Sequence, residues 1–266
     1  MSSPSRRIVF LALALTLAAG PISPTWSQVI LNVERLQAGD REGAYGALTA
    51  SGSFSAGNTD VVQLGGAVGT GFRGERHWPR LFAGGEILRS GSGRIVDNRF
   101  VHARYGYLFT PRVRSFHFVQ LQSNRNLLVE RRWLVGSGVR LAFPVSEGLT
   151  LEAGTGPMLE DETLNADRLP PGASDHARVV RLASLAVVRW RIGDDLELLN
   201  VVYHQPVVDD LGDFRLLDDL TLAVRVAEAA SVDVTLEWRH DSRPPPDLDD
   251  DDVRLRVGFS VAWGGG

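Results

Sequence analysis

The chain has 266 residues, with 28 basic and 32 acidic side chains and a formal net charge of −4. That balance argues against nucleic acid, which demands a positive footprint, and the lack of cysteine excludes disulfides, thiolate metal sites and a lipidated N-terminal cysteine. Every basic residue is arginine, which we read as the mark of a GC-rich genome rather than of a function.

At the N-terminus, Arg6 and Arg7 precede the apolar run IVFLALALTLAA and then small residues, the layout of a secretory signal. The run is too short to cross a bilayer as a helix, which takes about 20 residues. Cleavage is expected after Ser27, with Gly20 as the alternative, so that residues 1–27 are the signal and 28–266 a single domain. Without Arg6 and Arg7 the exported chain carries 26 basic against 32 acidic residues.

From residue 43 onward, apolar and polar side chains alternate with period two, and helical spacing is nearly absent. Turn-forming residues divide this alternation into twelve predicted strands. They fall near 43–56, 60–73, 79–90, 97–109, 113–124, 131–143, 149–161, 177–191, 195–206, 214–226, 231–242 and 252–263. The second ends in GTGFRG, a literal G-x-G-x-x-G match at Gly69–Gly74. A dinucleotide site would need a helix to follow, but ERHWPR and a third strand follow instead, so the match is a strand running into its turn. Gly46, Gly52, Gly65, Gly66, Gly69, Gly71, Gly84 and Gly85 crowd the first three strands, where glycine permits close backbone approach and curvature.

In the fourth strand Val101, Ala103, Tyr105, Tyr107 and Phe109 oppose His102 and Arg104. The fifth, with FHFVQLQ, switches phase midway, as a bulge would make it do. In the tenth, Leu220, Leu222 and Val224 oppose Asp219, Thr221 and Arg225, and in the twelfth Val253, Leu255 and Val257 oppose Arg254 and Arg256. Each strand thus pairs an apolar face with one that carries full charges. Even-numbered connections (GERHW, TPR, PVSEG, IGDD, AEAAS) are tight, while most odd-numbered ones (GSGRIV, NLLVE, DETLNADRLPPGASDH, VVDDLGD, RPPPDLDD) are longer and polar. This is the pattern of an outer-membrane barrel with short periplasmic turns and longer outer loops. Strands of this length span a bilayer when tilted, and in hydrocarbon only a closed sheet satisfies its own backbone. The predicted fold class is therefore all-β, a closed antiparallel up-and-down transmembrane β-barrel of about twelve strands, located in the outer membrane. Phe72, Phe82, Tyr105, Tyr107, Phe109, Phe143, Trp190 and Trp263 fall at the predicted periplasmic rim, with Trp133, Phe214 and Trp238 near the outer one.

The segments ASGSFSAGNTD, NRFVHARYGYLF-TPRV and LVGSGVRLAF, with NVERL at residues 32–36, resemble the salt-induced outer-membrane protein family, the domain of unknown function 481. The resemblance runs from Asn32 to Trp263 and implies an exported outer-membrane barrel with no established activity. Barrels commonly end on an aromatic residue, whereas here three glycines follow Trp263. Implied partners are outer-membrane lipid, lipopolysaccharide and, during biogenesis, the barrel-assembly machinery.

No HExxH or G-x-S-x-G pattern is present, and neither a cofactor nor a metal is expected. His102 and His204 are expected in the lumen as hydrogen-bonded lining. His240 and Ser242 share a lipid-side face near the outer rim, where a lipid hydrolase would place a base and a nucleophile, although a rim histidine beside a loop is the plainer reading. The acidic run Asp247 and Asp249–Asp252, with Asp209, Asp210 and Asp213 in the preceding loop, suits hard cations but reads first as a solvated surface. The expected lumen lining is Arg104, Arg140, Arg181, Arg189, Arg225, Glu237, Arg239, Arg254 and Arg256, together with Glu86 and Glu152. Twelve strands lie between a filled eight-stranded barrel and an open sixteen-stranded one, so both a narrow pore and a side-chain plug are permitted. The expected function is a non-enzymatic envelope or stress-related role, with a solute channel of weak anion preference second and a lipid hydrolase third.

Overall fold

The computed structural model describes residue 34 and residues 42–55, 61–90, 93–125, 128–244 and 249–264. The predicted signal, the connection AGNT between the first two predicted strands, and Asp247 lie outside them. Twelve antiparallel strands form a closed barrel in which each strand pairs with its neighbours in sequence. They are β1 Gly43–Ser55, β2 Val61–Arg73, β3 His77–Ser90, β4 Gly93–Leu108, β5 Val113–Asn124, β6 Val129–Pro144, β7 Leu149–Leu164, β8 His176–Ile192, β9 Leu196–Val207, β10 Asp210–Ala227, β11 Ala230–Asp241 and β12 Asp251–Gly264. All twelve predicted strands are present. The ring closes where β1 meets β12, through seven register pairs from Tyr45 opposite Gly264 to Ser51 opposite Gly258.

The short connections 74–76, 109–112, 145–148, 193–195 and 228–229 gather at one end, the short-turn end. The opposite, long-loop end is built differently from expectation. Most of GSGRIV and VVDDLGD belongs to β4 and β10, which start at Gly93 and Asp210, so hairpins rather than loops raise this rim. Polar residues break the apolar pattern there, yet the backbone continues to pair, with an irregularity between Asp210 and Phe214. Long connections remain at 165–175, which includes a 3-10 turn at Ala166–Arg168, and at 242–250.

The barrel is apolar outside and charged inside. Leu64, Val68, Leu81, Val101, Val135, Leu222, Leu255 and Phe259 are exposed on the outer wall, while the alternate positions turn inward and are buried. A water-soluble sheet would reverse this; in lipid the outer face needs no water and the charges find one another within. Phe72, Tyr105, Phe109, Phe143, Trp190 and Trp263 are exposed near the short-turn end, and Trp133 and Trp238 toward the other. Phe82 does not belong to the first belt, because it points inward and is fully buried against Ala47.

The phase switch in β5 has a similar cause. Register with β4 runs unbroken through Phe116–Leu121, and the irregularity against β6 lies at Gln122/Asn124. Phe118 faces inward and packs on Leu134, Met158 and Ala183, so the lumen itself is apolar at this level. Gly136 leaves the space that the Phe118 ring fills, and any side chain there would meet it.

Candidate functional site

The lumen holds three clusters of ion pairs. In the short-turn half, β3, β4, β5 and β6 direct Arg80, Arg104, Arg114 and Arg140 inward, and β7 adds Glu152. At their centre is a carboxylate from outside the strands, Glu34, which is 1% exposed. Arg140 grips it with two parallel bonds of 2.9 Å, Nη1 to Oε1 and Nη2 to Oε2. Arg104 Nη1 donates to the same Oε1 at 2.7 Å. Arg140 also reaches Glu152 Oε2 at 2.5 Å, and Arg114 binds that same oxygen. Trp78 completes the wall, with the guanidinium carbons of Arg80, Arg73 and Arg114 at 4.1, 4.3 and 5.1 Å from its ring centroid. Burial would raise the Glu34 carboxyl, but Arg140, Arg104 and Arg80 together outweigh it and hold the group well below the usual carboxylate range.

The second cluster lies in the long-loop half. Glu160 of β7 receives Arg132 and Arg181 at 2.9 Å on one oxygen and Arg215 at 2.5 Å on the other. Glu162 backs Arg132 and Arg215 at 3.5 Å, Asp213 takes Arg181 at 3.0 Å, and Asp241 takes Arg215 at 3.3 Å. One carboxylate therefore ties together β6, β8 and β10.

In the third cluster, Glu237 pairs with Arg239 at 3.0 Å and Arg256 at 2.8 Å, and Arg254 spans to Glu86 of β3 at 3.4 Å. That span passes over β1 and β2, whose inward positions here are Thr49, Ser51, Gly65 and Ala67. Small side chains on these strands leave room for long ones from β3, β11 and β12, and a cavity of about 140 Å³ remains beside them.

The residues read from the sequence as lumen lining stand as follows. Arg104, Arg140, Arg181, Arg189, Glu237, Arg239, Arg254 and Arg256 all take part in ion pairs, that of Arg189 being with Glu197 at 2.7 Å. Arg225 is exposed and lines a vestibule of about 380 Å³ at the short-turn end, together with Asp194, Asp195, Glu197, Glu228 and Asp233. The expected surplus of inward arginine is corrected by these partners. Glu160, Glu162, Asp241 and Asp252 are buried too, and sequence reasoning missed them as it missed Glu34; Asp219, on the charged face read for the tenth strand, is buried with them. His102 is buried in the lumen and accepts a 2.9 Å bond from Arg104 Nε. His204 is corrected: it is exposed on the outer face and packs on Phe214, because Tyr203 takes the inward position.

On the outer face His240 Nδ1 lies 3.2 Å from Asp251 Oδ1, which also accepts from Trp238 Nε1 at 2.8 Å. Ser242 Oγ accepts from the Phe214 backbone N–H at 2.8 Å, so the suggested base and nucleophile are each engaged elsewhere. Among the described residues His240, Asp250 and Asp251 form the one group of three that could offer ligand atoms to a metal, and both aspartates are solvent-exposed. A serine–histidine contact does occur further down the wall, where Ser137 Oγ and His117 Nδ1 are 2.8 Å apart. The other ring nitrogen of His117 meets Ser115 Oγ at 3.1 Å.

Comparison with known proteins gives a family and a fold. The profile of a family described as protein of unknown function, DUF481, matches residues 48–263. No curated protein matches the chain. An outer-membrane channel from Pseudomonas putida F1 superposes with a TM-score of 0.54 at 11% identity, covering 88% of this chain and 100% of that one. The translocator domain of the autotransporter NalP from Neisseria meningitidis gives 0.50 at 13% identity, over 85% and 90%. The NanC porin gives 0.50 at 11%, over 82% and 98%. At such identities the likeness is one of fold, the closed outer-membrane β-barrel.

Proposed function

The chain belongs to the DUF481 family, and on that premise we propose that it is a non-enzymatic barrel of the bacterial outer membrane with a structural or stress-related role and, at most, a narrow pore. The short-turn end then faces the periplasm, as do both termini. The observation that carries this reading is the pairing within the lumen: Glu34 and Glu160 gather arginines from β4, β6, β8 and β10, and Arg104 reaches Tyr203 of β9 on the far side at 3.4 Å. Guanidinium and carboxylate groups joined in this way fill space that an open channel would leave to water. Refolded into planar bilayers, the protein is expected to conduct in small, brief steps with little ion preference, since the lumen arginines are paired. Large, steady steps from the unaltered chain would make it a solute channel proper, the alternative that the channel and porin neighbours support.

A lipid hydrolase is the reading that the Ser137–His117 contact favours. Catalysis of that kind needs the histidine oriented by a third group and donors aimed at the developing oxyanion. Here the third group is a serine hydroxyl and the surrounding strand N–H groups are committed to the ladder. We therefore expect no phospholipid hydrolysis by the folded protein in mixed micelles. Hydrolysis that disappears in Ser137→Ala or His117→Ala would make the barrel an enzyme.

A further inference from the structure

We propose that Arg104 and Arg140 form a binding site for small organic carboxylates, which Glu34 occupies in the free protein. The site does not depend on conduction, so binding tests it separately from the pore reading.

Three observations lead there. The first is geometry: Arg140 holds the Glu34 carboxylate fork to fork and Arg104 adds a third bond, the arrangement by which arginine recognises a planar carboxylate. The second is the origin of the charges. Around Glu160 the strands neutralise their own arginines, with Glu162, Asp213 and Asp241 from β7, β10 and β11. In the short-turn half the strands bring Arg73, Arg80, Arg104, Arg114 and Arg140 together with Glu152, and the carboxylate that completes the cluster arrives from outside the wall. The wall there is built around an added anion.

The third observation is unused hydrogen-bonding capacity. A cavity of about 50 Å³ touches Arg104, Arg140 and Tyr203, and His102 and Gln205 line it as well. Gln205 is 6% exposed and its Oε1 has no hydrogen-bond partner among the described residues; His102 is 2% exposed, with Gln120 of β5 as its neighbour. Buried polar atoms of this kind are costly unless something meets them. Glu34 ends in a carboxylate and brings no further polar atom. A short acid with a hydroxyl beside its carboxylate would bring one, in a space of about the size that suits it.

A competitor carried on the same chain acts at a high effective concentration, and an occupied site binds free ligand more weakly in proportion. Glu34→Gln keeps the shape and removes the charge. Isothermal titration of the refolded protein with glycolate is expected to show at least about tenfold tighter binding to Glu34→Gln than to the unaltered chain. Adding Arg140→Met to Glu34→Gln should abolish it, and inorganic phosphate, which is not planar, should bind more weakly than glycolate. Heat-modifiable migration on gels verifies folding of each variant. If Glu34→Gln does not fold, Glu34→Asp, which shortens the reach to Arg140, should give an intermediate gain. Equal glycolate affinity with and without the Glu34 change, binding that survives Arg140→Met in folded protein, or phosphate binding as tight as glycolate would each overturn the proposal.

Discussion

Glu160→Ala is expected to destabilise the barrel by about 3–5 kcal/mol, the loss that follows when one partner of a buried ion pair is removed. The carboxylate receives three guanidinium groups, and Arg132 among them is 1% exposed. Without Glu160 those charges stay buried, and Glu162 at 3.5 Å is too distant to replace a 2.5 Å contact to Arg215. Glu197→Ala serves as the comparison. Its pair with Arg189 is of similar length, at 2.7 Å, but the side chains are 36% and 23% exposed, so water and salt take up most of the loss. That change should cost about 1 kcal/mol or less. Denaturant unfolding of protein refolded into lipid vesicles measures both. A Glu160→Ala loss no larger than that of Glu197→Ala would mean that the network is ornament rather than support.

Leu222→Arg is the second large effect, and it tests the lipid. Leu222 lies outward on β10, opposite Leu198 on one side and Val234 on the other. It sits between Asp218, paired with Trp238, and the strand end at Ala227, near the middle of the apolar belt. An arginine there should cost about 2–4 kcal/mol, falling to about 0–1 near an interface. Leu211→Arg supplies that lower limit, since Leu211 is 68% exposed beyond the belt at the long-loop end. If both substitutions are tolerated equally in vesicles, the outer wall does not meet hydrocarbon.

Much of the barrel could be read from alternation because lipid and lumen impose opposite demands on successive residues. Where both faces are apolar, that reading loses its phase. In LLNVVYHQPV nothing but packing decides that Val201 and Tyr203 turn inward, and His204 was consequently placed on the wrong face. Phe82 at the rim and the phase switch in FHFVQLQ have the complementary cause, because the lumen is locally apolar where Phe82 and Phe118 turn inward. The ion-pair partners were harder still. Glu160 and Arg215 are 55 positions apart and Glu34 and Arg140 are 106 apart, so their meeting is set by strand order and tilt, not by any local spacing. Glu34 also lies in a segment with no strand alternation, which left no pattern from which to place it.

The seam between β1 and β12 has a kinetic meaning. Every other strand pairing joins neighbours along the chain, and only this one brings residues such as Tyr45 and Gly264 together from its two ends. Hairpins form by short loop closures, whereas the ends of a long chain meet at a greater entropic cost and more slowly. Assembly of this topology can proceed as a growing sheet with two unpaired edges until a single long-range event shuts it. Unpaired edges cannot persist in hydrocarbon, so that last event is also what commits the chain to the membrane. It rests on seven residue pairs, against thirteen between β1 and β2, which makes the seam the first place where the finished cylinder can open again.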